Sequence, residues 1–169
     1  MSIKAAFLDR DGTLNVDVHY LHKIEDLIWT PECKEGLAYL CEQGYTLFVI
    51  TNQSGIARGY YTVAQMEALH AHMNEELAQV GAHIEKFYYC PHLQDGILPE
   101  YTCDCSCRKP KPGLFLQALA EYDIDKEQSF MLGDGQRDIE AAAAAGIQGY
   151  LYKGGSLLNF IKEVLATKN

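Results

Sequence analysis

Ile3-Lys4-Ala5-Ala6-Phe7-Leu8-Asp9-Arg10-Asp11-Gly12-Thr13-Leu14-Asn15 joins an apolar run directly to a polar turn. The run from Ile3 to Leu8 reads as a buried strand, and the turn begins where the strand stops. Two carboxylates two residues apart on such a turn can diverge in role. Asp9, held ionised against a cation, suits a nucleophile, while Asp11, starting protonated, suits a general acid. Gly12 permits the sharp turn that aims both inward. A bare surface turn would also use Asp and Gly, so the weight rests on the strand before it and on the motifs that follow.

Outward from this junction, short apolar strands alternate with amphipathic helices. Thr30 is expected to cap a helix with Pro31 at its first position, Cys33, Leu37, Leu40 and Cys41 on its apolar face, and Gly44 at its end. Tyr45–Ile50 is a second strand that delivers Thr51 and Asn52 to its carboxyl end. Thr62 and Gln65 form a capping box for a helix whose stripe of Met66, Leu69, Met73, Leu77 and Val80 is read as core. Ile84–Tyr89, Phe130–Leu132 and Ile147–Tyr152 are further strands. Gly113–Tyr122, Ile139–Ala145 and Leu157–Leu165 are further helices. This order predicts an α/β fold, a three-layer, doubly wound, Rossmann-like parallel sheet forming one domain over residues 1–169. Ligands in such sheets bind beyond the carboxyl ends of the strands, where the polar motifs should meet.

Composition bounds the partners. The chain is 48% hydrophobic with a formal charge of −9. That acidity disfavours nucleic acid, whose non-specific binding needs many phosphates neutralised. No apolar run approaches the roughly 20 residues needed to span a bilayer. Met1-Ser2-Ile3-Lys4 lacks the layout of a secretory signal, so a cytoplasmic protein free of membrane is expected. A monomer is expected as well.

Four cysteines crowd one loop. Cys90-Pro91-His92 followed by Cys105-Ser106-Cys107 offers three thiolates and one imidazole, a set suited to a closed, structural zinc site. Cys103 competes, because Cys103-Asp104-Cys105 has the same spacing. The pair of Cys105 and Cys107 is favoured because it abuts Arg108-Lys109-Pro110. His70, His72 and His83 are read as solvated or locally hydrogen-bonded, and Trp29 as packing beside a helix start.

Asp9-Arg10-Asp11-Gly12-Thr13 resembles the first motif of the haloacid dehalogenase superfamily. The resemblance implies that Thr51 is the hydroxyl of motif II and Lys109 the ammonium of motif III. It makes Gly133-Asp134 with Asp138 the acidic motif IV. It further implies magnesium held by Asp9, Asp134 and the backbone carbonyl of Asp11, with Asp138 ligating through water, orienting Lys109, or only starting a helix. Thr51, Asn52 and nearby amides would donate to the phosphoryl group, and Lys109 would neutralise it.

Thr51-Asn52-Gln53-Ser54-Gly55-Ile56-Ala57-Arg58-Gly59, together with the two cysteine motifs and Arg108-Lys109-Pro110, narrows the likeness. It is similar to the capless, zinc-containing D-glycero-D-manno-heptose 1,7-bisphosphate 7-phosphatases. That likeness implies a small phosphorylated sugar as substrate, Asp17, Val18, His19 and Tyr20 lining its site, and Thr51, Asn52, Gln53 and Ser54 binding one phosphate. Arg108 would take the far phosphate through its planar fork. Two departures stand out: a Cys-Asp-Cys run two residues early, and Gly135 where relatives often carry Lys. Histidinol-phosphate phosphatase is the nearest rival, with Ser54 leaning toward the heptose enzymes. A zinc-stapled interaction module without catalysis is the rival of a different class.

Overall fold

The computed structural model describes residues 2–168. Five strands, β1 (Lys4–Leu8), β2 (Tyr45–Asn52), β3 (Ile84–Cys90), β4 (Phe130–Gly133) and β5 (Gln148–Leu151), form one parallel sheet. Their spatial order is β3-β2-β1-β4-β5. Helices α1 (Cys33–Glu42), α2 (Val63–Ala78), α3 (Gly113–Glu121), α4 (Gln136–Ala144) and α5 (Leu157–Thr167) cover it. The three-layer, doubly wound architecture expected from the sequence is the one observed.

The central strands read as unbroken apolar runs because both of their faces are covered. Ala6, Leu8, Leu47, Val49, Phe130 and Leu132 face one way and pack against Leu37 and Leu40 of α1, Leu69, Met73 and Leu77 of α2, and Ile161 of α5. The alternate residues Ala5, Phe7, Phe48, Ile50 and Met131 pack under Leu114, Phe115 and Ala118 of α3 and Ala141 and Ala142 of α4. Phe7 stacks on Phe48 at 5.5 Å and meets Phe115 edge-on at 5.1 Å. Each such side chain contributes about 1.5–3 kcal/mol by leaving water. Among the described residues, no helix is long and apolar enough to cross a membrane.

Three local expectations need correction. Helix α1 starts at Cys33, after Glu32 in a left-handed conformation, and not after Thr30. The Thr30 hydroxyl donates instead to the carbonyls of Thr13 and Leu14, tying the loop after β1 to the helix start. Val80 lies beyond the end of α2 and is 39% exposed, so it is not core. His70 is buried at 5% exposure, stacked on Phe87 at 4.0 Å. The Thr62–Gln65 capping box is formed as expected.

From β1 the chain proceeds to β2 on one side, while β4 pairs with β1 on the other. The sheet therefore has its topological switch between β1 and β4, where their carboxyl ends open a crevice. The segments 9–32 and 91–112 lie over this edge. They contain only 3-10 turns at Ile24–Asp26 and Pro99–Tyr101 and isolated bridges, with no inserted helix or strand among the described residues. The sheet is uncapped, as expected.

Candidate active site

Asp9 follows β1 directly, and its backbone N–H bonds to the Leu132 carbonyl, which fixes it at the switch between β1 and β4. Its carboxylate is 5% exposed and receives Lys109 Nζ at 2.8 Å on Oδ1. The same ammonium donates to Asp138 Oδ1 at 2.6 Å and to the Ile50 carbonyl at 2.7 Å. An ammonium has three protons, and all three are thereby committed. Asn52 clamps the Lys109 backbone from both sides: its Nδ2 donates to Lys109 O at 3.2 Å, and its Oδ1 accepts from Lys109 N at 3.0 Å. Four segments distant in sequence are thus fixed around one carboxylate.

Two carboxylates hold this ammonium, and a third, Asp134, lies beside them. Burial pushes the Asp9 carboxyl up to about 8, with Lys109 pulling it down and Asp138 and Asp134 adding to the rise. Burial works against charge on Lys109, but Asp9 and Asp138 outweigh it and hold the ammonium above its ordinary range. Both shifts express a shortage of positive charge. Asp9 Oδ2 is buried without a hydrogen-bond partner among the described residues. Oxygens of Asp9, Asp134 and Asp138 lie within 4.8 Å of one another. A hard, oxygen-only set with an unpartnered buried oxygen fits a magnesium ion. Asp138 already accepts from Lys109 and from the Gly135 N–H at 3.0 Å, which leaves Asp9 and Asp134 as the pair with uncommitted oxygens. The Asp11 side chain stands outside this acidic group.

Asp11 is held by a network that the sequence did not reveal. Its Oδ1 accepts from Arg10 Nη2 at 2.9 Å and Asn15 Nδ2 at 3.1 Å, and its Oδ2 from Gln53 Nε2 at 3.1 Å. Arg10 is fully buried and also donates to the Leu21 carbonyl and to His70. Gln53 donates again to Thr51 Oγ1 at 2.8 Å and accepts from the Tyr61 hydroxyl. Arg10, Asn15, Tyr61 and His70 therefore belong to the site although no spacing marked them. A buried Arg is rare, and its partner His70 lies 60 positions along the chain.

Beside Asp11 opens a cavity of about 300 Å³ lined by Asp17, His19, Tyr20, Ser54, Arg108 and Arg137, among others. Most of the expected substrate-binding residues meet here. Asp17 Oδ1 accepts from the His19 N–H, closing a turn that continues through His19 and Tyr20, both at positive φ. Tyr20 is flanked by Tyr60 and by the Arg58 guanidinium 5.7 Å from its ring. Val18 departs from the expectation: it faces a neighbouring recess with Leu21 and Ile28. Asn52 and Gln53 line the cavity, but their side-chain amides are committed to Lys109 and to Asp11, Thr51 and Tyr61.

The thiol cluster forms as the sequence suggested. Cys90, His92, Cys105 and Cys107 converge, with Sγ–Sγ separations of 2.8, 3.4 and 3.5 Å and His92 Nδ1 at 3.4 Å from Cys107 Sγ. Donors tetrahedrally disposed around zinc would lie roughly 3.3–3.8 Å apart, so this near-contact cluster fits a closed zinc site with little adjustment. Cys103 is exposed and stands outside the group. Cys90 ends β3 and Cys107 precedes Arg108 and Lys109, so the cluster joins a rigid strand to the loop that carries both cations.

Comparison with known proteins accords with this site. The HAD-hydrolase-like family model matches residues 106–159. A D-glycero-alpha-D-manno-heptose-1,7-bisphosphate 7-phosphatase from Photorhabdus laumondii is 48% identical over 86% of this chain and 79% of its own. A D-glycero-beta-D-manno-heptose-1,7-bisphosphate 7-phosphatase from Rhodopseudomonas palustris is 43% identical over 95% and 89%. Among solved structures, the D,D-heptose 1,7-bisphosphate phosphatase of B. bronchiseptica, complexed with magnesium and phosphate, superposes with a TM-score of 0.85 at 30% identity. The match covers 98% of this chain and 99% of that one. Likeness of this extent shows that the chain belongs to the HAD-like phosphatases, in the family of the D-glycero-D-manno-heptose-1,7-bisphosphate 7-phosphatases.

Proposed function

We propose that this enzyme hydrolyses the 7-phosphate of D-glycero-D-manno-heptose 1,7-bisphosphate, releasing heptose 1-phosphate, through a phosphoryl group carried on Asp9. The observation that supports it most is the similarity to relatives of that name, sustained over most of the chain. The proposal includes a single catalytic domain, working as a monomer in the cytoplasm.

One oxygen of the Asp9 carboxylate attacks phosphorus, and the bond from phosphorus to the C7 oxygen breaks. Asp11 protonates that departing oxygen. To do so its carboxyl must exchange one of its present donors, of which Gln53 on Oδ2 and Asn15 on Oδ1 are the neutral ones. Thr51 and the backbone amides beyond β2 donate to the phosphoryl oxygens, while Lys109 opposes their charge. Water then attacks the phosphoryl-aspartate, with Asp11 taking its proton, and phosphate leaves. Magnesium held by Asp9 and Asp134 supplies the positive charge that lets a phosphate dianion approach a carboxylate. Zinc in the thiol cluster takes no part in the chemistry and fixes the loop of Arg108 and Lys109.

Phosphate release from the α and β heptose 1,7-bisphosphates and from histidinol phosphate, with and without magnesium, tests the reading. Magnesium-dependent turnover of a heptose bisphosphate, abolished by Asp9→Asn, is expected. Preference for histidinol phosphate would reassign the substrate, and normal turnover by Asp9→Asn would remove the nucleophile.

A further inference from the structure

The cavity beside Asp11 carries two guanidiniums. Arg108 reaches it from the loop before Lys109, and Arg137 from the first turn of α4. Among the described residues, neither forms an ion pair, and Arg108 Nη1 is buried with no hydrogen-bond partner. Of the carboxylates lining the cavity, Asp11 is already paired with Arg10, and Asp17 accepts a backbone N–H. A chain of net charge −9 thus leaves two cations uncompensated at one opening next to its nucleophile.

Arg137 is also badly placed for the helix that carries it. The first turn of a helix presents unpaired N–H groups and a partial positive charge, which disfavours a cation. The helix dipole and capping therefore do not account for a cation here; an anion facing the cavity would. The residue two positions earlier makes the placement feasible. A Cβ on Gly135 would stand 3.1 Å from Arg137 Nη1 and 3.4 Å from its Cζ, so the guanidinium lies close against bare backbone. Gly135 has an extended backbone (φ −121°, ψ 150°) open to any residue, so its conformation does not call for glycine. What glycine leaves there is room beside the guanidinium that a larger side chain would take.

We propose that Arg137 is a second binding residue for the substrate's far phosphate, sharing that anion with Arg108, and that Gly135 is what admits it. The inference rests on the bisphosphate reading above and deepens it. Two planar forks converging on one dianion would each offer paired N–H donors, a geometry that an ammonium cannot reproduce.

The test compares kcat/KM for the heptose 1,7-bisphosphate with that for the heptose 7-phosphate, which lacks the far anion. The native enzyme should favour the bisphosphate. Arg137→Ala should cut that ratio by about tenfold or more, chiefly through KM, and Arg137→Lys should recover only part of it. Gly135→Leu, which keeps the charge but takes its place, should cut the ratio as well. Calorimetric binding of heptose 1-phosphate reads the same seat without turnover, should a variant lose activity on both substrates. A native preference for the bisphosphate that Arg137→Ala leaves unchanged would overturn the role of Arg137 alone. A native enzyme without that preference would remove the bisphosphate reading and this inference with it.

Discussion

Arg10 Nη1 lies 3.1 Å from His70 Nε2, and because a guanidinium can only donate, that ring nitrogen is the acceptor. His70 is therefore neutral, with its proton on Nδ1. Burial, reinforced by the Arg10 charge, holds its pKa at about 3, below the ordinary 6.5. Between those values an unfolded chain binds a proton that the folded chain refuses. Stability is thus intact above pH 6.5 and falls as the pH drops through the window from 6.5 to about 3, by up to about 1.4 kcal/mol per unit. His70→Gln keeps an acceptor for Arg10 and removes the titration. Urea unfolding between pH 7 and 4 should show a shallower loss for the variant; parallel curves would rule out a neutral buried imidazole.

The parts of this site that could be read in the sequence are those set by local rules. β1, β2 and β4 are sandwiched between helix layers, so their apolar runs were plain, and the polar residues after them fell where a parallel sheet gathers ligands. The thiol cluster was legible because its ligand spacing repeats along the chain. What stayed hidden depends on contacts between distant segments. Thr30 has the chemistry of a helix cap, yet its hydroxyl is drawn to Thr13 and Leu14. Arg10 reads as one polar residue between two acids, and only its meeting with His70, 60 positions on, shows why it is buried. The resemblance implies that Asn52 and Gln53 bind phosphate, and only the folded chain shows that their side-chain amides also brace Lys109, Thr51 and Asp11.

Asp138 governs Lys109. One of its oxygens accepts the ammonium and the other accepts the Gly135 N–H, and the residue is fully buried. Asp138→Asn offers a single acceptor to those two donors and removes a buried counter-charge. Breaking a buried pair in this way should destabilise the fold by about 3–5 kcal/mol. It also leaves Lys109 with Asp9 as its only ionic partner, drawing the ammonium from the phosphoryl position. We expect kcat to fall by about tenfold or more with KM little changed. A drop confined to KM would show that Asp138 does not position Lys109 for the chemical step.

Removing zinc should act on the loop before it acts on the sheet. Cys90 is anchored in β3, whereas Cys105 and Cys107 have only the loop to hold them. Chelation, or Cys107→Ser, should abolish bound zinc and lower Tm by on the order of 10 °C, the size expected for losing several kcal/mol in a chain of this length. Cys103→Ser should retain one zinc per chain and the native Tm, since Cys103 lies outside the cluster. Metal analysis of the two variants side by side decides the ligand set. Zinc lost from Cys103→Ser and kept by Cys107→Ser would reverse it.

Gly12 and Asp134 test whether the acidic crevice holds the magnesium. Gly12 has φ at +87°, where any other residue is strained by about 1–2 kcal/mol. The steric conflict is the larger effect. A Cβ there would lie 2.2 Å from Asp134 Oδ2 and 2.7 Å from its Cγ, closer than a carbon tolerates any unbonded atom. Asp134 is exposed and able to turn away, so Gly12→Ala should fold while displacing one of the two carboxylates with uncommitted oxygens. The magnesium concentration giving half-maximal turnover should then rise by about tenfold or more, and saturating magnesium should restore part of the rate. Asp134→Asn should produce the same shift without backbone strain. If Gly12→Ala lost activity at all magnesium concentrations while Asp134→Asn left the metal dependence unchanged, the metal would have to be held elsewhere than between Asp9 and Asp134.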